Sequence, residues 1–170
     1  VDLLRDPCVA RCWLAPPSPS ASRDSGQAIS DYTAVGPEYG TLDDFSAFLQ
    51  AAHARNLRVI LDLVLNHTSD QHPWFLESRA GLDSPKRDWY VWADPAPDGG
   101  PPNNWVSVFG GPAWTLDETT GQYYLHNFLD EQPDLNWWSE EVREQFDRIF
   151  RYWFDAGVMG LRSDVAPRVV

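Results

Sequence analysis

The run LRVILDLVLNH, residues 57–67, constrains the fold more than any other part of the chain. Val, Ile and Leu fill both parities of its two-residue repeat, so a strand here has no solvent face. Sheets covered on both faces are parallel sheets flanked by helices. Directly before it, TLDDFSAFLQAAHARN carries Thr41 as an N-cap, Asp43 and Asp44 in the first turn, and Phe45, Phe48, Leu49 and Ala52 on one face. These are the marks of an amphipathic helix. VARCWLAP, closed by Pro16 and Pro17, reads as a short buried strand. Strand, helix, strand with a right-handed crossover is the economical topology. Towards the other end, Ser139 is placed to cap SEEVREQFDRIFRYWFDAG, where Val142, Phe146, Ile149, Phe150 and Trp153 make the apolar stripe and Gly157 closes the helix. VMGLRSDV is then predicted to form the last strand.

Two stretches have a different character. Residues 15–31, rich in Pro, Ser and Gly, read as an exposed connection. From Thr68 to Asn136 no helical period persists, and Pro, Gly, Asp, Asn and Trp dominate; the stretch is too long for an ordinary loop. It reads as an inserted subdomain with a few short strands, one of them around QYYLHNFL. The organisation is therefore a parallel α/β part over 1–67, an inserted subdomain over 68–136, and a second α/β part over 137–170.

At 170 residues, 43% hydrophobic and 14% aromatic, the chain has material for one packed domain. Its net charge of -12 argues against nucleic acid or an anionic membrane surface as partner and favours a neutral, hydroxyl-rich ligand. Nine Trp and six Tyr fit either stacking on such a ligand or core packing. Cys8 and Cys12 make no disulfide framework and no metal spacing, and read as free buried thiols. No apolar run approaches the roughly 18–20 residues that span a bilayer, so a soluble, cytoplasmic location is expected. Nothing in the sequence speaks to oligomeric state.

Parallel α/β sheets place ligand chemistry at the carboxyl ends of their strands. Asn66 and His67 end one strand; Arg162 and Asp164 lie on the next, two residues apart and so on one face. An arginine beside Asp164 would hold it ionised as a nucleophile or stabilising charge. On spacing alone, a structural ion pair is the stronger reading. His67 equally suits a satisfied structural residue, and Asp62 an anchor for a backbone amide or another side chain.

Longer matches tip this balance. SDYTAV, DLVLNHTSDQHPWF, SPKRDWYVWADP, PPNNWVSVFGGPAW, YYLHNFLDEQPDLNW and GLRSDVA together resemble the α-amylase superfamily, glycoside hydrolase family 13, in its α-glucosidase and oligo-1,6-glucosidase branch. QPDLN is the marker of that branch. The resemblance implies a partial (β/α)8 TIM barrel, about strands 2 to 4, with the insertion after the third barrel strand. It implies Asp164 as catalytic nucleophile with Arg162 beside it, and His67 holding the sugar. Phe128 and Gln132 would line the same pocket, and Asp24 would clamp the terminal glucose. Val165 matches members acting on α-1,6 bonds, a thin basis for linkage.

The implied chemistry is retaining hydrolysis of terminal α-linked glucose from short oligosaccharides, without a redox or organic cofactor; a structural calcium near Asn66 is left open. The family's acid/base glutamate follows its fifth strand, so this stretch is expected to be inactive alone. Glucosyl-transferring or isomerising relatives of the trehalose or isomaltulose synthase type use the same residues, and non-catalytic carbohydrate- or protein-binding relatives keep the fold. The chain departs from the family pattern at Gln27, where the resemblance implies a stacking ring, at Ala28, and at Met159, Leu161 and Ser163. Ser163 would place a small hydroxyl where a larger apolar residue packs into the barrel.

Overall fold

A computed structural model describes residues 10–20 and 28–164, with Asp164 described by its backbone. The elements in chain order are β1 (Arg11–Leu14), α1 (Leu42–His53), β2 (Arg58–Val64), α2 (Pro73–Ser78), β3 (Trp92–Ala93), β4 (Trp114–Leu116), β5 (Tyr123–Leu125), α3 (Glu140–Asp155) and β6 (Gly160–Asp164). β1, β2 and β6 form a parallel sheet with β2 at its centre. The register sets Trp13 beside Ile60, Asp62 beside Arg162 and Val64 beside Asp164. Because neighbours in register share a face, positions 13, 60, 62, 64, 162 and 164 lie on one side, and 59, 61, 63, 161 and 163 on the other.

The second side is the core. Val59, Leu61 and Leu63 pack with Leu49 and Ala52 of α1 and with Val142, Phe146, Ile149 and Trp153 of α3. These are the stripes expected from the sequence, with Phe45, Phe48 and Phe150 half-buried at their margins. Trp153 is fully buried and donates its indole N–H to the Tyr32 carbonyl at 2.9 Å, so its polar atom is not stranded.

The helix ends follow local chemistry. Thr41 Oγ1 accepts the Asp44 N–H at 3.2 Å while Asp44 Oδ2 accepts the Thr41 N–H at 2.9 Å, a reciprocal capping box. Those bonds from Thr41 hold the Asp44 carboxyl below its usual range. Thr41→Ala is expected to lower stability by about 1 kcal/mol, read as a shift in the urea midpoint at constant slope. α1 and α3 stop in the same manner. Leu57 N–H bonds the Ala52 carbonyl and Asn56 N–H that of His53; Val158 N–H bonds Trp153 and Gly157 N–H bonds Phe154. Asn56 at φ +58° and Gly157 at φ +104° supply the left-handed residue each turn requires. At Gly157 a side chain would also close on His53 Cε1, 3.4 Å from the Cβ position.

Several expectations are corrected. Ser139 precedes α3 but its side chain makes no capping bond; the helix start is met instead by Glu140 and Glu141 in the first turn. Residues 68–136 do contain a helix, α2, too short to show a period. Pro73 stands at its first position, and the His72 ring accepts the Trp74 N–H. The connection over 15–31 is not uniformly exposed: Pro16, Pro17, Ser18, Ala28 and Ile29 are buried, and Ser20 bridges Ile29. Cys12 is half-buried rather than buried, and Cys8 lies outside the described residues. Ser163 is exposed and shares the helix-side face with Leu161, away from the face of Arg162.

The inserted stretch forms an antiparallel sheet in the order β3–β5–β4, with its own small cluster of Ala113, Trp114, Tyr123 and Leu125. Its Phe75, Trp89, Tyr90, Tyr124 and Leu135 belong to the main core cluster. Residues 133–135 stitch it to β2: Thr68 N–H bonds the Pro133 carbonyl, His67 bridges Asp134, and Leu135 N–H bonds the Asn66 carbonyl at 2.9 Å. No helix among the described residues is long and apolar enough to cross a membrane.

Candidate active site

β2 ends into a polar, buried knot. Asn66, His67 and Asp134 are 1%, 3% and 1% exposed, so every polar atom there needs a partner. Asp134 supplies most of them: its Oδ1 accepts from Asn66 Nδ2 at 2.8 Å and from the Asn127 N–H at 3.1 Å, and its Oδ2 accepts from Asn127 Nδ2. Tyr32 closes the other side. Its hydroxyl lies 3.0 Å from the Val64 carbonyl and 2.9 Å from that of His67, sharing one proton between them. Burial, then the neighbouring Tyr90, pushes the Tyr32 hydroxyl well above its ordinary pKa, so it remains a donor. The backbone of His67 is thus held by Tyr32 and Asp134, and its ring sits 5.2 Å from that of Phe128.

On the same side of the sheet, Arg162 Nη1 donates to Asp62 Oδ2 at 2.6 Å, across the β2–β6 pair. Its guanidinium carbon lies 4.8 Å from the centre of the Trp13 ring. Asp62 is thus a partner of Arg162 among the described side chains, since residues level in a parallel pair stand side by side. Asp62 is the anchor for another side chain that the sequence allowed. The pair is unevenly buried, the side chains being 44% and 5% exposed, so the desolvation penalty rests on the carboxylate. Arg162→Met should therefore cost about 2 kcal/mol, below the roughly 3–5 kcal/mol of a fully buried pair, while Asp62→Asn costs about half that. Chemical denaturation of both variants and the double variant checks the order; equal costs would contradict it.

Of the residues singled out in the sequence, the structure brings together His67 and Phe128 at the end of β2. It sets Asp164 level with Val64, three residues before His67, at the same end of the sheet. The side chain of Asp164, and Asp24, Gln27 and Val165 altogether, lie outside the described residues. Gln132 is buried and its Oε1 accepts the Leu129 N–H at 3.0 Å, holding the turn that carries Phe128. Sequence reasoning missed Tyr32, Asn127 and Asp134. The last two lie close to Phe128 and Gln132, and the signal was an Asp flanked by Pro133 and Leu135, where an acid is affordable only with donors around it.

The set does not suit a calcium ion. Asn66 Oδ1 is buried without a hydrogen-bond partner among the described residues, but it is a single neutral oxygen. Both oxygens of Asp134 already receive amide N–H groups, and no cluster of three His, Cys, Asp or Glu is gathered among the described residues.

Comparison with known proteins fits this arrangement. The family model described as "Alpha amylase, catalytic domain" matches residues 1–170, and the chain belongs to that family. It is 49% identical over 165 residues to an oligo-1,6-glucosidase of Heyndrickxia coagulans, covering 97% of this chain and 30% of that protein. It is 54% identical over 152 residues to a probable alpha-glucosidase of Rhizobium meliloti (strain 1021), covering 89% of this chain and 28% of that one. Among solved structures, a mutant isomaltulose synthase from Erwinia rhapontici NX5, in complex with its natural substrate sucrose, superposes with a TM-score of 0.93 at 45% identity; 96% of this chain and 29% of that one are covered. A trehalulose synthase superposes at 0.92 with 46% identity, covering 95% and 29%. The chain spans about 30% of the length of the relatives it matches.

Proposed function

We propose that this stretch forms strands 2 to 4 of a (β/α)8 barrel, with 1–67 and 137–170 as barrel parts and 68–136 as the subdomain inserted after the third strand. The protein it belongs to would be a retaining α-glucosidase acting on the terminal α-linked glucose of short oligosaccharides. The observation that supports this reading is that His67 and position 164 lie at the same end of adjacent parallel strands, with the Asp62–Arg162 pair on the face of position 164. Asp164 attacks the anomeric carbon, the leaving oxygen takes a proton from a second carboxylic acid about 5–5.5 Å away, and that group then activates water to release the sugar. Arg162 favours the ionised nucleophile, His67 and Phe128 hold the reacting ring, and Gln132 and Asp24 complete the pocket. The second carboxylate belongs to a later strand of the family's barrel, so the 170 residues alone are expected to be inactive. No redox or organic cofactor enters this chemistry. A reducing, cytoplasmic setting is part of the reading, supported by a chain with two cysteines and no disulfide framework.

The resemblance to trehalulose and isomaltulose synthases favours a second reading, in which the glucosyl unit passes to another sugar hydroxyl instead of water. A non-catalytic binding relative is the third, and the presence of His67, Arg162 and Asp164 speaks against it. The test is release of chromophore from an aryl α-glucoside by the whole catalytic domain containing this stretch, with product analysis on sucrose. Hydrolysis abolished by Asp164→Asn is expected. Isomerised products point to the second reading, and absence of any turnover removes both enzymatic ones.

A further inference from the structure

Tyr32, whose hydroxyl reaches the end of β2, also walls a cavity of about 230 Å³ on the α3 side of the fold, together with Asp31, Thr33, His72, Trp74 and Gln145. The His72 ring is 3% exposed and lies against Trp74 and Tyr32 at 4.3 and 5.7 Å. Its Nδ1 accepts the Trp74 N–H at 3.1 Å, which places the proton of the neutral ring on Nε2. Burial lowers its pKa to about 4, against an opposing pull from Asp31, so the ring is neutral at ordinary pH. No described residue accepts from Nε2–H, although the ring lines the cavity. Its N–H is therefore free to donate to whatever occupies the cavity.

The other groups complement it. Asp31 uses Oδ1 for the Thr33 N–H and hydroxyl at 2.8 and 2.9 Å, leaving its second oxygen without a partner among the described residues. Gln145, which lines the cavity, accepts from Arg148 Nη1 at 3.1 Å through its oxygen, leaving its NH2 without a bond among the described residues. Two donors and one acceptor thus belong to residues lining one small space. An anion would meet the charge of Asp31, and a bare cation would meet two N–H donors. A hydroxyl both donates and accepts, and several hydroxyls on one ring answer all three groups at once. The volume lies just under the roughly 300 Å³ at which pockets for larger organic ligands begin, so the ligand is small.

We propose that this cavity binds a single neutral sugar ring, at a site built from none of the residues assigned to catalysis. The inference does not rest on the glucosidase reading. The probe is methyl α-D-glucopyranoside, followed by saturation-transfer NMR and titration calorimetry on the unsubstituted protein and on two variants at solvent-reached positions. Thr33→Trp plugs the mouth and should weaken this binding at least tenfold. Gln145→Leu removes a donor and should weaken it about fivefold, the equivalent of one hydrogen bond. Circular dichroism confirms that each variant folds, and release from an aryl α-glucoside by the whole catalytic domain containing this stretch should be unchanged by Thr33→Trp. Absence of a saturation-transfer signal from the unsubstituted protein, or affinity unchanged in both variants, overturns the proposal.

Discussion

Asp134→Ala is expected to cost about 3–5 kcal/mol of unfolding free energy and to move the backbone of His67. The carboxylate is 1% exposed and receives the side-chain amides of Asn66 and Asn127 and one backbone N–H. Alanine leaves these donors behind, and each one stranded costs roughly 1–3 kcal/mol, the half-buried Asn127 at the lower end. The same residue bridges His67, so the loss reaches the candidate site as well as the fold. Asp134→Asn keeps one acceptor oxygen and should cost about half as much. Urea denaturation gives the energies, and the amide resonance of His67 reports the displacement. A loss below about 1 kcal/mol for the alanine variant would show that water replaces the carboxylate.

The second large effect is acid sensitivity centred on His72. Its pKa falls from 6.5 to about 4 on folding, chiefly because burial disfavours the charged ring. The unfolded chain therefore binds a proton that the folded chain refuses across that window, and stability rises with pH through it. The contribution is complete above pH 6.5 and is lost as pH falls towards about 4, in total about 3 kcal/mol. His126, also lowered by burial, acts in the same direction. His72→Asn retains an acceptor for the Trp74 N–H and removes the titration. Its stability, compared with the unsubstituted protein between pH 6.5 and pH 4.5, should fall less steeply; parallel curves would place the acid sensitivity elsewhere.

What the sequence made legible was whatever local chemistry dictates. The Thr41 box, the stripes of α1 and α3, Gly157 at its turn and the doubly buried β2 are each specified within a few residues, and all stand where periodicity and capping put them. What it hid depends on contacts between distant segments. The Asp62–Arg162 bond joins residues a hundred apart, and only the β2–β6 register makes them neighbours. Nearness in sequence points to Asp164 and gives no sign of Asp62, a hundred residues away. The burial of Ile29 within a Pro- and Ser-rich connection is hidden for the same reason: composition speaks of turns, not of what a turn is pressed against. Family resemblance supplied residue roles at His67, Phe128, Gln132, Asp24 and Asp164, and these rest on that likeness rather than on local chemistry.

The matching terminations of α1 and α3 have a consequence for how this architecture can vary. Each fixes the level at which its following strand begins, at the end of the sheet remote from His67. The excursion over 68–136 departs from the opposite end of β2 and is tied back to it through residues 133–135, so lengthening or rewriting its outer part, away from those residues, leaves the heights of positions 67 and 164 untouched. Ligand preference can thus drift on one rim while alignment is governed from the other. A change at Gly157, whose φ of +104° strains any other residue, would disturb that alignment from the end remote from His67.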